Sequence, residues 1–486
     1  MQKSFEKVTW VLWLALVAVL PITSMPLVAK LFHSSAVAPA SLLFLVPLLL
    51  LWIPVYVWRK GTFPFQTWIA LAFFFSAIIS TALSFFLNLP AYKGQGLRGS
   101  VFEGLATLVI GLLFYLVFTV LPNSHEKLNA TLRAINWGGA VMVGWTILVQ
   151  VITMLSPDDT PHYLRVVQHL ISTTTFFGSR AVGFASEPSW LAHLVNLVYL
   201  PYWLAATLTR FSAHKVQFKK ITFENVLLLG GVATLFVSFS RAGWAAFMLV
   251  LAYLFIRLNV WLVKKLSACW KSPQTKALIT ALFIFVLIAA YIAFAAGALY
   301  VFSKFDPRMA SVFSLQTLRE QGFTQYANML QFGERITYWQ TGWRIFNQYP
   351  LFGVGVGNAG FYFQKLLPDE AWQLTEVRSL VYHSTNLINI KSLWVRLLAE
   401  TGVVGFAFFV VFLLASLYTA RVLIISKNKT KQTIGWMGIC MLIAFLIEGF
   451  SVDSFALPYY WFTLGLVAAA WRWDNVEKET TQHGSI

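Results

Sequence analysis

About twelve apolar runs of roughly 17 to 25 residues divide this chain, and that pattern leaves few folds open. They lie near residues 8–28, 40–58, 66–87, 101–121, 134–155, 187–209, 221–239, 242–263, 277–300, 394–420, 433–451 and 456–472. Each has the length that the hydrocarbon core of a bilayer demands of a helix. In that core every backbone N–H and C=O must find its partner inside the protein, as a helix ensures. Composition agrees: 58% hydrophobic and 11% charged residues over 486 positions exceed what a soluble core of ordinary proportions absorbs. The expected class is an all-α polytopic membrane protein surrounded by lipid bilayer. The seventh and eighth runs are parted only by Ser238-Phe239-Ser240-Arg241, but one helix across both would be far too long. The first run, Val8 to Val28, shows no clear small-residue cleavage site and reads as a retained helix, not a signal peptide.

Charge sets the orientation. The net charge of +17 gathers in alternate connections, with clusters at Arg210/Lys215/Lys219/Lys220, Lys264/Lys265/Lys271/Lys276 and Arg421/Lys427/Lys429/Lys431. Basic connections stay on the cytoplasmic side, so both termini are expected inside, and nucleic acid is a poor explanation for the charge. The expected layout is an N-terminal bundle over 1–300 with about nine helices, an extracytoplasmic loop over 301–392, C-terminal transmembrane helices over 393–472 and a cytoplasmic tail over 473–486. Cys269 and Cys440 are the only cysteines and suggest neither a disulfide framework nor a thiolate metal site. The acidic residues Asp306, Asp369, Glu370 and Glu376 are scattered, without the spacing of a metal-ligand set. No cofactor is expected. No repeat links the two halves, as many transporters would show, and this weakens the reading as a transporter.

Several short passages fall on the outer side. VSFSRAGW (237–244) puts Arg241 between two apolar runs, where an arginine either snorkels to headgroups or binds an anion. GERITYW (333–339) carries Arg335 and Trp339 on a segment with the look of an amphipathic interfacial helix. PLFGVGVGN (350–358) supplies Gly353, Gly355, Gly357 and Asn358, where the backbone can adopt turns closed to other residues or approach a ligand closely. It lacks the Lys and Ser/Thr of a P-loop. KSLWVRLLAETGVVG (391–405) holds Lys391, Arg396 and Glu400, and RAVGFASEPSWLAHL (180–194) holds Arg180, Glu187 and Ser189 with Pro188 suited to a first helical turn. Glu187 fits either a dipole partner of that helix or a proton acceptor. Glu400 fits a pairing role better than a catalytic one, and Glu448 and Asp453 a structural one.

Together these passages resemble the O-antigen polymerase and O-antigen ligase superfamily of bacterial envelope glycosyltransferases. The matching elements are Ser240-Arg241, Arg335 to Trp339 followed by PLFGVGVGN, LLAETGVVG, and Glu187-Pro188-Ser189. LPITSMPLV (20–28) and APASLLFLVPLLL (38–50) are similar to the N-terminal spans of polysaccharide polymerases. The resemblance implies transfer of a glycan from an undecaprenyl-diphosphate-linked oligosaccharide at the outer face of the bacterial inner membrane, with a chain-length regulator as a further partner. The products would be O-antigen or exopolysaccharide. In the ligase branch two arginines and a histidine are central. The arginines carry over to Arg241 and Arg335. The histidine belongs to a His-Asn pair, and here that register reads Lys391-Ser392, which favours polymerisation of repeat units over ligation to a lipid A core. His383 is the nearest substitute.

The chemistry stands beside the family. A departing diphosphate gathers negative charge, and a guanidinium is permanently charged and grips phosphate oxygens in a fork. Arg241 and Arg335 are expected to do so, with Glu187 or His383 as base. Arg180, Lys391, Arg396, Gly355, Gly357, Asn358 and Trp339 are expected to bind substrate. Tyr338, Trp339, Tyr362 and Trp372 offer flat faces for sugar rings or for interfacial anchoring.

Overall fold

The computed structural model describes residues 2–483 except 33–36, 60, 156–160, 175, 177–179, 215–216, 268–271, 306–315, 317–318, 321–325 and 331. Lys215, Cys269, Lys271 and Asp306 lie outside the described residues. The chain divides into two compact units, Met1–Ala246 with Gly342–Lys365 and Leu387–Ile486, and Phe247–Thr341 with Leu366–Asn386.

Long helices dominate both, as the apolar runs require. The first unit holds α1 (Gln2–Ala18), α2 (Pro26–Phe32), α3 (Leu42–Trp58), α4 (Phe65–Leu83), α5 (Leu97–Val120), α6 (His125–Leu155), α7 (His162–Ile171), α8 (Pro188–Leu194), α9 (Leu200–Thr209) and α10 (Phe223–Val237). It also contains the start of α11 (Arg241–Ser267). The second unit continues α11 and adds α12 (Pro273–Phe305), the start of α13 (Gly333–Gln348) and α14 (Thr375–His383). Back in the first unit come α15 (Leu393–Ile425), α16 (Lys429–Glu448) and α17 (Tyr459–His483). A two-residue hairpin, Gln217–Phe218 with Ile221–Thr222, leads into α10.

Eight helices among the described residues are long and apolar enough to cross a membrane, and Leu42–Trp58 and Phe223–Val237 are shorter apolar helices. The protein is an all-α polytopic membrane protein. The first expected span, 8–28, is corrected: α1 stops at Ala18, and α2 begins only at Pro26. Pro21 and Pro26 withhold backbone donors there. Thr23 N–H bonds the Phe184 carbonyl at 3.4 Å, and Ser24 pairs with Ala38 in an isolated bridge, so this backbone is satisfied by partners outside any helix.

Local chemistry explains where the helices begin. Thr222 and Asn225 form a reciprocal capping box at α10, Thr222 Oγ1 accepting from Asn225 N at 3.3 Å and Asn225 Oδ1 from Thr222 N at 2.9 Å. Pro188 takes the first turn of α8, and Asn428 caps α16 by accepting from Thr430 N and Lys431 N. Within the first unit α15 packs on α4 and α16, α17 on α5, and α16 on α9. The Pro188–Thr209 span is 83% buried over its central window, so any polar group on it must be satisfied by neighbouring helices.

Candidate active site

Arg241 is the first residue of α11, directly after the joint Ser238-Phe239-Ser240. The joint is tight: Phe239 has φ +46°, a left-handed conformation that costs a bulky side chain energy and is held by its surroundings. Ser238 Oγ donates to the Leu235 carbonyl at 2.7 Å and accepts from Ser240 N at 3.3 Å, and Ser240 Oγ accepts from Gly243 N at 3.3 Å. Arg180 joins the same place, with Nε 3.4 Å from the Ser238 carbonyl and Nη2 3.5 Å from that of Phe239. The segment after it is tied in by Ala181 N to the Val237 carbonyl at 3.0 Å. Arg180 also lines a small cavity, about 10 Å³, shared with Trp145, Gln150, Gln168 and Phe176. The Arg180 guanidinium is therefore held by the turn after which Arg241 opens α11, a helix N-terminus whose dipole favours anions. Glu187 is exposed beside α8, accepting from Ser189 Oγ at 3.2 Å.

The PLFGVGVGN passage proves to be a strap. Gly402, at φ +62° and ψ −169°, interrupts α15, so two of its helical bonds are exchanged for bonds to the strap. The Ala399 and Glu400 carbonyls accept from Val354 N at 3.0 Å and Gly355 N at 2.9 Å. Val403 N and Val404 N, left over by the break, donate to the Pro350 and Leu351 carbonyls at 2.8 and 3.2 Å. The other edge is held by small polar residues: Thr81 Oγ1 accepts from Val356 N at 3.1 Å, Ser84 Oγ accepts from Asn358 Nδ2 at 3.0 Å, and Ser100 Oγ donates to the Gly357 carbonyl at 2.7 Å. A Cβ on Gly353 would stand 2.5 Å from the Glu400 carbonyl carbon, so only glycine allows this approach. The geometry gives Gly355, Gly357 and Asn358 a holding role.

Arg396 is likewise engaged inside the protein. Its Nε donates to Glu400 Oε2 at 2.9 Å, its Nη1 to the Asp453 carbonyl, and its guanidinium lies 5.3 Å from the Phe455 ring centre. Both partners of the pair are buried. Lys391, half-buried at φ +55°, precedes Ser392, which caps α15.

In the second unit Arg335 lies in the first turn of α13, and its Nη1 is buried with no hydrogen-bond partner among the described residues. Trp339 packs edge-on against Phe332 at 5.4 Å. Tyr338 donates to Glu376 Oε1 at 3.1 Å, and burial, reinforced by that carboxylate, raises its pKa above the usual phenol range, so it remains a neutral donor. His383 ends α14 and is exposed. Of the four aromatic faces offered for sugars, Tyr338 and Tyr362 are buried and cannot serve as platforms, whereas Trp339 and Trp372 are half-buried. Among the described residues no group of three or more His, Cys, Asp or Glu is placed to hold a metal ion.

Residues 226–410 match the family model for O-antigen ligase. This stretch of the chain is similar to the O-antigen ligase family. The match supports the superfamily to which the sequence passages pointed, that of O-antigen ligase- and polymerase-type membrane glycosyltransferases, and with the helices it marks a multi-pass bacterial membrane protein. No curated protein matches the chain. The O-antigen ligase region runs from α10 through the Arg241 joint, Arg335 and the strap to the first half of α15, while Arg180 and Glu187 precede it.

One group escaped the sequence reading. His193, fully buried on α8, and Asn196 both meet Glu448 at the end of α16. The signal was present, since an ionisable residue inside an apolar span is costly without a partner. Glu448 was expected to serve structure, and its partners are histidine and asparagine.

Proposed function

We propose that the protein polymerises polyprenyl-diphosphate-linked oligosaccharide units at the outer face of the bacterial inner membrane. The acceptor hydroxyl of one carrier-linked unit attacks the anomeric carbon of a glycan on a second carrier. The bond from that carbon to the diphosphate oxygen breaks, the polyprenyl diphosphate leaves with the electron pair, and the hydroxyl proton passes to a base, Glu187 or His383. Supporting this reading is the joint between α10 and α11, whose carbonyls hold the Arg180 guanidinium and whose next residue, Arg241, opens a helix, so that both arginines are assigned to charge that grows only as the bond breaks. Arg335 is assigned the same kind of task because a buried guanidinium nitrogen without a partner is costly unless an anion completes it. Lys391 and Trp339 are assigned to substrate, as phosphate or glycan contacts.

Ligation to a lipid A core is the second reading, favoured by the description of the matching family. Purified protein in liposomes, given a polyprenyl-diphosphate oligosaccharide, is expected to yield a ladder of longer carrier-linked glycans. A single transfer that needs lipid A core, with no ladder in its absence, would establish the ligase instead. Substrate crossing the bilayer with no new glycosidic bond would establish a flippase.

A further inference from the structure

The transfer scheme leaves unused the polar group in the most enclosed part of the first unit. Glu448 Oε2 lies 2.5 Å from His193 Nδ1, and Glu448 Oε1 accepts from Asn196 Nδ2 at 2.6 Å. The same Asn196 amide donates its second hydrogen to the Gly243 carbonyl at 2.8 Å. His193, Asn196 and Glu448 are all at most 1% exposed. Gly243 lies two residues beyond Arg241, in the same first turn of α11, so one carboxylate and one amide connect α8, the end of α16 and the turn that carries the arginine.

Two further features tie this group to that turn. Residues Val195–Tyr199 form a π turn between α8 and α9, a local widening that is frequent at functional sites and places Asn196 within it. Gly243 itself is pressed against α8, where a Cβ would stand 2.8 Å from that of Ala192, which limits the depth at which α11 begins. His193 Nε2 is also buried without a hydrogen-bond partner among the described residues, a cost that simple helix glue has no need to carry.

We infer that His193, Asn196 and Glu448 are positioning residues that hold the first turn of α11, and thereby aim the Arg241 guanidinium at the departing diphosphate. This rests on the transfer reaction proposed above. The group touches no substrate and acts only through Arg241. A small misplacement of a charge-stabilising group weakens transition-state binding more than ground-state binding, so the loss should fall on kcat.

The test uses full-length protein in liposomes, with kcat and KM measured for the carrier-linked donor. His193→Ala and Asn196→Ala are expected to lower kcat about 30-fold or more with KM changed less than about threefold. His193→Asn, whose amide keeps a donor near the Nδ1 position, is expected to recover most of that loss. In an Arg241→Lys background, His193→Ala should cost less than about threefold more, because the arginine it aims is gone. The inference is overturned if the two losses multiply, if His193→Ala and Asn196→Ala keep wild-type kcat per folded molecule, or if His193→Asn is as impaired as His193→Ala. Should His193→Ala fail to fold, Asn196→Ala with His193→Asn decides by the same criteria. Full activity in Arg241→Ala would instead overturn the proposed function, whatever the His193 variants do.

Discussion

Arg396 and Arg241 are both arginines near a helix start; Arg396 is enclosed by partners inside the protein, whereas Arg241 is the one proposed for the chemistry. Arg396 is paired with Glu400 in the interior, so Arg396→Ala leaves a buried carboxylate alone and should cost about 3–5 kcal/mol of stability. Thermal unfolding in detergent checks this, and replacing both partners with apolar residues (Arg396→Met with Glu400→Leu) should recover most of the loss. Arg241→Ala should leave folding and expression intact and abolish product. Arg241→Lys should restore little, because a point charge lacks the fork that grips two phosphate oxygens. Product formation per folded molecule separates the two arginines. The sequence reading gave Arg241 the grip on diphosphate and Arg396 a place among the substrate contacts, but it held no record of the acceptors around either guanidinium, since Asp453 is 57 positions from Arg396.

At the scale of elements, the break at Gly402 and the strap are one device. Gly402→Ala must either adopt a φ of +62° with a side chain or straighten the helix and strip the strap of its partners. A loss of about 1–3 kcal/mol is expected from backbone strain alone. Faster amide exchange at Val354, Gly355, Val403 and Val404 would show that the strap has come loose, and unchanged exchange there would refute the linkage. The glycines of PLFGVGVGN were visible as a close-approach turn, but what they approach was not. Glycine permits contact without specifying a partner, and the partners here are the carbonyls of a helix some 45 residues later, freed by a conformation that the AETG letters do not spell out. The joint at Ser238 to Arg241 was legible for a different reason: its span lengths forbade a single helix, so a turn had to fall there.

The whole molecule is organised by the bilayer, and its orientation is testable without knowing the substrate. With the basic connections inside, a cysteine placed by His383→Cys should react with a membrane-impermeant maleimide in intact cells with an opened outer membrane. One placed by Lys427→Cys should react only after the inner membrane is permeabilised. The reverse pattern would invert the topology and move the proposed chemistry to the cytoplasmic side. What the sequence by itself determined was the class, the run of helices and the family likeness, because hydrophobic length is a property of each contiguous segment and needs no partner to be read. Only the tertiary structure decided which polar groups are paired with one another inside the protein. His193 meets Glu448 across 255 positions, and it is burial beside a particular neighbour, a relation that no local pattern contains, that decides whether a charge is satisfied.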